Sequence, residues 1–167
     1  AGKSVLLVDK GDFSGETSAG CFKIIHGGLR YLQDLNLYRV FESAFEQRVV
    51  RKIAPNLVRP FEIVIPEGKK FLNRKSVLAI GCAICETLVF WRNWGVSKNK
   101  QLPHFSFASG LEIRRKFPEL LLSESCQGGV VFSDCQVMHP ERLVLSLIFS
   151  ARDLGATTAN FSEVISL

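Results

Sequence analysis

The sequence predicts a mixed α/β domain on three observations. A short apolar run, Ser4–Val8, reads as a buried parallel strand; several helical stretches follow, each bounded by Pro, Gly or Asn; and a second apolar strand, Gly128–Phe132, is followed by a helix and a last extended stretch. The order strand, loop, helices, strand, helix, strand fits an α/β or α+β domain. Gly11–Gly28 is rich in Gly, Ser and Thr and reads as a long loop with turns. Leu29–Leu35 reads as one short helix. Asn36 then caps a helix to about Ala54, whose apolar positions Leu37, Val40, Phe41, Ala44, Phe45, Val49 and Ile53 form a stripe at helical spacing. Arg39, Glu42, Glu46, Arg51 and Lys52 fall on its other face. Pro55 and Pro60 end that helix and open an extended segment, Phe61–Pro66.

Residues 67–103 hold a basic turn, an apolar helix over about 76–92 and a polar loop up to Pro103. Gly110–Phe117 reads as a short helix closed by Pro118. Pro140–Leu154 reads as a helix begun by Pro140 and ended by Gly155. Ser162–Leu167 is expected to be another strand.

At 167 residues, 47% hydrophobic and 22% charged, the chain is one domain's worth and too apolar for intrinsic disorder. The nearly uncharged run from Ser76 is interrupted by Glu86 and stops at Arg92, short of the roughly 20 residues a membrane span needs. Mean hydropathy is +0.16, and residues 1–9 lack a signal-peptide pattern. A net charge of +5 suits anionic partners, phosphorylated small molecules or an acidic membrane surface. Its basic residues come in scattered groups (Lys69-Lys70, Arg114-Arg115-Lys116) without interleaved aromatics, so nucleic acid is not an expected partner. Five cysteines at irregular spacing exclude a full disulfide framework. Cys82 and Cys85 lie in the apolar helix with no further ligand pair, so they read as buried thiols in a reducing compartment, and no metal site is expected.

Two places could carry chemistry. Asp9 follows the first strand and precedes a glycine-containing loop, where an acid can accept from ribose hydroxyls or cap the next turn. The string Thr17-Ser18-Ala19-Gly20-Cys21-Phe22-Lys23-Ile24-Ile25-His26-Gly27-Gly28-Leu29-Arg30-Tyr31-Leu32 is more specific. A glycine pair beside a histidine lets backbone approach a flat ligand closely. Arg30 and Tyr31 come at the start of the predicted short helix, where a guanidinium, a phenol and the helix dipole could grip a phosphate.

That string, with Ala54-Pro55-Asn56-Leu57-Val58-Arg59-Pro60, Phe132-Ser133-Asp134-Cys135-Gln136, Glu141-Arg142-Leu143 and Ala159-Asn160-Phe161, resembles the FAD-dependent glycerol-3-phosphate dehydrogenases of the D-amino-acid oxidase-like flavoprotein superfamily. The resemblance implies part of a Rossmann-like FAD-binding domain with an inserted α+β substrate domain. Residues 1–58 and 136–167 would be the FAD-binding parts, and 59–135 the substrate domain. It further implies an internal piece of a longer protein, with the glycine fingerprint before residue 1. FAD is the implied cofactor. Asp9 takes the ribose role; Thr17 and Ser18 donate to the pyrophosphate or ribitol; Lys23, Ile24, Ile25, His26, Gly27 and Gly28 run along the isoalloxazine; and Val164, in the last strand, touches the adenine through its backbone. Arg30 and Tyr31 would meet the phosphate and glycerol end of glycerol 3-phosphate. Relatives of this kind often carry Asn and Ser where this chain has Gly20 and Cys21, which removes two donors toward the flavin. Asp134 matches the family pattern and reads as structural.

The implied reaction is hydride transfer from the secondary alcohol of glycerol 3-phosphate to flavin, giving dihydroxyacetone phosphate, with electrons passed to quinone or another acceptor. His26 is the candidate base by residue type. Its place in the glycine turn also suits packing against the flavin, in which case the base comes from beyond residue 167. Trp91 and Trp94 flank Arg92 and read either as helix-end packing or as an interfacial anchor. The implied location is the cytoplasm, with peripheral contact at the inner membrane. The alternatives are another flavin-dependent amine or 2-hydroxy-acid oxidase, with Arg30 as a carboxylate clamp, and a non-catalytic binding module that keeps the fold.

Overall fold

A computed structural model describes residues 2–68, 74–123 and 126–166. The predicted basic turn at Lys69-Lys70 lies outside them. The chain divides into two compact units, Ala1–Ile24 with Val137–Leu167, and Ile25–Gln136.

In the first unit, β1 (Leu6–Val8) pairs in parallel with β6 (Thr157–Ala159), Leu6 opposite Thr157 and Val8 opposite Ala159. Helix α4 (Pro140–Asp153) starts with Pro140 in its first turn, where the missing N–H costs no bond, and ends before Gly155 at φ +94°. The parallel pairing is as expected, but the expected burial of Ser4–Val8 is not found: Leu6 is 65% exposed. One neighbouring strand and one helix cannot cover both faces of a strand. The strand expected at Ser162–Leu167 is also absent through residue 166, so Val164 sits on irregular backbone. The reason is local. Phe161 N donates to Gly11 O (2.9 Å) and Ser162 N to Asp9 O (2.8 Å), which draws this segment across the loop that follows β1.

The second unit is built on a sheet of order β2-β5-β3, with β4 also on β5. Its strands are β2 (Ile24–Ile25), β3 (Val58–Pro66), β4 (Ser106–Ser109) and β5 (Gly128–Val137). Strand β5 runs five residues past the expected Phe132, and the short β4, antiparallel to it, had no sequence signal long enough to read. Helices α1 (Leu37–Ile53), α2 (Lys75–Leu88) and α3 (Gly110–Lys116) complete the unit. Asn36 caps α1, its side chain accepting from Arg39 N (3.1 Å). Ser109 and Glu112 form a capping box on α3.

The buried face of α1 differs from the predicted stripe. Val40, Ala44, Gln47 and Arg51 are buried, while Leu37, Phe41, Phe45 and Ile53 are exposed. Two polar side chains go inward because each of their side-chain nitrogens finds an acceptor. Arg51 donates to Gln47 O, to Asn93 Oδ1 (2.8 Å), to Lys100 O and to Arg92 O (2.7 Å). A buried guanidinium is tolerated only when its N–H groups are satisfied in this way. The apolar core joins Val40 and Ala44 to Cys85 and Val89 of the α2 region, with Leu29, Tyr31 and Leu32 packed against it. Cys82 and Cys85 are buried free thiols, as the sequence predicts, and burial pushes Cys82 up to about 11.

The mixed α/β class therefore stands. Helix α1 packs with the segments after residue 58, within the second compact unit. Among the described residues no helix is long and apolar enough to cross a membrane.

Candidate active site

The site begins with the turn His26-Gly27-Gly28, which leaves β2 and runs into a 3₁₀ turn, Leu29–Leu32. Gly28 has φ +87°, and a Cβ there would lie 2.9 Å from Val40 Cα. The turn is thus pressed onto α1, and only glycine permits both the backbone conformation and the approach. The expected helix Leu29–Leu35 is shortened to this single 3₁₀ turn, with Tyr31 N already donating to Gly28 O (2.9 Å). One turn carries little macrodipole. The helix-terminus contribution expected from the sequence is therefore small at Arg30 and Tyr31.

His26, Gly28, Arg30, Tyr31, Phe132 and Asp134 line a cleft of about 550 Å³. His26 and Arg30 are exposed. The His26 ring meets Tyr31 edge-on, with centroids 5.5 Å apart. The structure therefore gathers His26, Arg30 and Tyr31 around one opening.

Behind the turn lies a polar cluster that the sequence signalled only weakly. Asp134 Oδ1 accepts from Gly27 N (2.7 Å) and from Gln47 Nε2 (3.0 Å). Gln47 Nε2 also donates to Ile25 O (2.7 Å). Burial raises the Asp134 carboxyl above the usual carboxylate range; the bonds from Gly27 and Gln47 and the nearby His26 and Arg92 offset part of that. A cavity of about 30 Å³, room for about one water, lies beside it, lined in part by Gln47, Cys85, Glu86 and Arg92. Asp134 was legible as a family-pattern residue; a carboxylate within a buried strand was the physical signal. Gln47 gave none.

The remaining candidates belong to the first unit. Asp9 stands just past the C-terminal end of β1, and its Oδ1 accepts from Gly11 N (2.9 Å), so it caps the next turn. Its own N–H donates to Ala159 O (3.0 Å). Thr17 and Ser18 lie in the turns between β1 and β2, Thr17 exposed and Ser18 half-buried. Lys23 adopts φ +60°, and its carbonyl accepts from Val137 N (2.8 Å).

A family model described as FAD dependent oxidoreductase (DAO) matches residues 1–167. A glycerol-3-phosphate dehydrogenase of Synechocystis is 31% identical over 166 residues, covering 99% of this chain and 28% of its own length. The human mitochondrial glycerol-3-phosphate dehydrogenase is 30% identical over 177 residues, covering 99% of this chain and 22% of its own. The chain thus spans about a quarter of these relatives. Among solved structures, the Bacillus halodurans glycerol-3-phosphate dehydrogenase complexed with FAD superposes with a TM-score of 0.60 at 20% identity, covering 99% of this chain and 23% of that one, a likeness of fold.

Proposed function

The chain belongs to the FAD-dependent oxidoreductase family, and we propose that it carries part of the site for oxidation of glycerol 3-phosphate to dihydroxyacetone phosphate. The observation that carries the reading is the cleft that brings Arg30, Tyr31 and His26 together on a glycine turn. FAD is the family's cofactor. The chain's donor set fits it: a carboxylate at the end of a parallel strand (Asp9) and hydroxyls on the following turns (Thr17, Ser18).

When bound, FAD supplies a hydride acceptor. The rest falls to the protein. Arg30 offers a fork of donors to a phosphate dianion. Tyr31, braced edge-on by His26, presents its hydroxyl to the glycerol end. His26, an imidazole on the cleft, is the candidate acceptor of the C2 hydroxyl proton by residue type. In this reading Lys23 to Gly28 pass along the isoalloxazine, Asp9 meets the ribose, and the main chain at Val164 meets the adenine from a loop. Rate is gained mainly by holding the substrate carbon in place. The electrons pass on to quinone or another acceptor. Peripheral contact with anionic lipid is supported by exposed Trp94 and by Arg48, whose guanidinium lies 6.0 Å from the Trp91 ring.

Arg30→Met in the full-length protein tests the substrate assignment. The expected result is a KM for glycerol 3-phosphate raised about ten- to a hundredfold, with oxidation of unphosphorylated glycerol little changed. Unaltered KM for the phosphate ester, with loss of activity on an amine or 2-hydroxy acid, would assign Arg30 to a carboxylate and overturn the reading.

A further inference from the structure

Five backbone and side-chain groups around the glycine turn are already committed, and the pattern of commitment assigns a role. Ile25 O is taken by Gln47, Gly27 N by Asp134, Gly28 O by Tyr31 N and Lys23 O by Val137 N; the Gln47 amide uses both hydrogens, on Ile25 O and Asp134 Oδ1. A single carboxylate oxygen on β5 therefore fixes the Gly27 amide directly and, through Gln47 on α1, the carbonyl two residues earlier. Both anchors are buried: Gln47 is 1% exposed and Asp134 7%. Beyond the ladder bonds of β2 with β5, these two side chains hold the backbone of residues 25 and 27. The outward side of the same turn carries His26 and leads straight into Arg30 and Tyr31.

We propose that Gln47 and Asp134 are positioning residues, which hold residues 25–28 from behind so that His26, Arg30 and Tyr31 face the cleft at a fixed spacing. The Gly27 N–H is spent on this anchor and is not a donor to any ligand, so the turn meets a flat ligand by shape rather than through that amide. The role needs an acceptor at the Asp134 Oδ1 position, not a negative charge. This separates it from a residue that acts on the ligand electrostatically, because asparagine supplies the acceptor and alanine does not.

The inference rests on the proposed function only for its kinetic arm, so two readouts are used on the full-length protein. The first is amide hydrogen exchange over the segment containing Gly27. Asp134→Ala is expected to speed exchange there at least tenfold, and Asp134→Asn to leave it within threefold of the unmodified protein. The second is steady-state kinetics with glycerol 3-phosphate as probe: Asp134→Ala raises KM at least tenfold with a smaller change in kcat, and Asp134→Asn restores KM to within threefold. Gln47→Leu provides a variant that keeps the carboxylate, and it is expected to loosen the same segment less than Asp134→Ala. Unchanged exchange in Asp134→Ala overturns the proposal, as does an asparagine variant as impaired as the alanine one, which would make the charge the working feature. If the unmodified protein does not turn over glycerol 3-phosphate while the exchange pattern holds, the substrate assignment fails and the positioning role stands.

Discussion

Asp134 shows what a buried carboxylate does to stability when its partners are neutral donors. Burial raises its carboxyl above the usual range, so the folded protein holds that proton more tightly than the unfolded chain does. The stability from this site is full below the unfolded value, about pH 4, and is lost as pH rises through the raised one. Asp134→Asn should therefore flatten the fall in melting temperature as pH rises above about 4, measured as a series of thermal melts of both proteins. The cysteines give a second prediction at this scale. Burial pushes the Cys82 and Cys135 thiols up to about 11, and Cys85 and Cys126 are buried as well, whereas Cys21 is exposed. The thiolate is the reactive form. A maleimide at neutral pH should label Cys21 first among these five, by mass spectrometry of digests; equal labelling of Cys82 would contradict the packing.

Helix α1 is the element on which most of the site depends, since it backs Gly28 through Val40, anchors the turn through Gln47 and fixes the loop at 92–100 through Arg51. Arg51→Met would leave the carbonyls of Arg92 and Lys100 without this donor and the Asn93 amide oxygen with Leu102 N alone, at a cost of about 2–4 kcal/mol, read as a lower denaturation midpoint. Asn36→Ala, which removes only the cap, should cost about 1 kcal/mol. The limits of α1 were legible in the sequence because Asn36 and Pro55 are local signals. Its buried face was not, because hydrophobic periodicity ranks Phe41 and Phe45 above Gln47 and Arg51. What reverses that ranking is partners from distant segments: Asp134, Asn93 and the carbonyls of 92 and 100. Likewise Leu29–Leu35 has helix-forming residues, yet Gly28 at φ +87° and the early bond from Tyr31 N hold it to one 3₁₀ turn. β1 was found with the right parallel partner type and the wrong burial, since burial depends on layers that a strand's own residues do not encode.

At the scale of the whole molecule, a chain that spans about a quarter of its relatives holds His26, Arg30 and Tyr31 in one cleft, while Asp9, Thr17 and Ser18 belong to the other compact unit. The class and the candidate residues were legible because they sit on short contiguous motifs; the support behind them was not, because Gln47 and Asp134 reach the turn from 22 and 107 positions away. The proposed function requires that the full-length protein oxidise glycerol 3-phosphate with flavin. The direct measurement is its visible spectrum without oxygen, before and after addition of glycerol 3-phosphate. Loss of the oxidised-flavin band, at about 450 nm, on adding the phosphate ester is the predicted result. A band that persists with glycerol 3-phosphate and bleaches with an amine or a 2-hydroxy acid, or no flavin band at all, would contradict it.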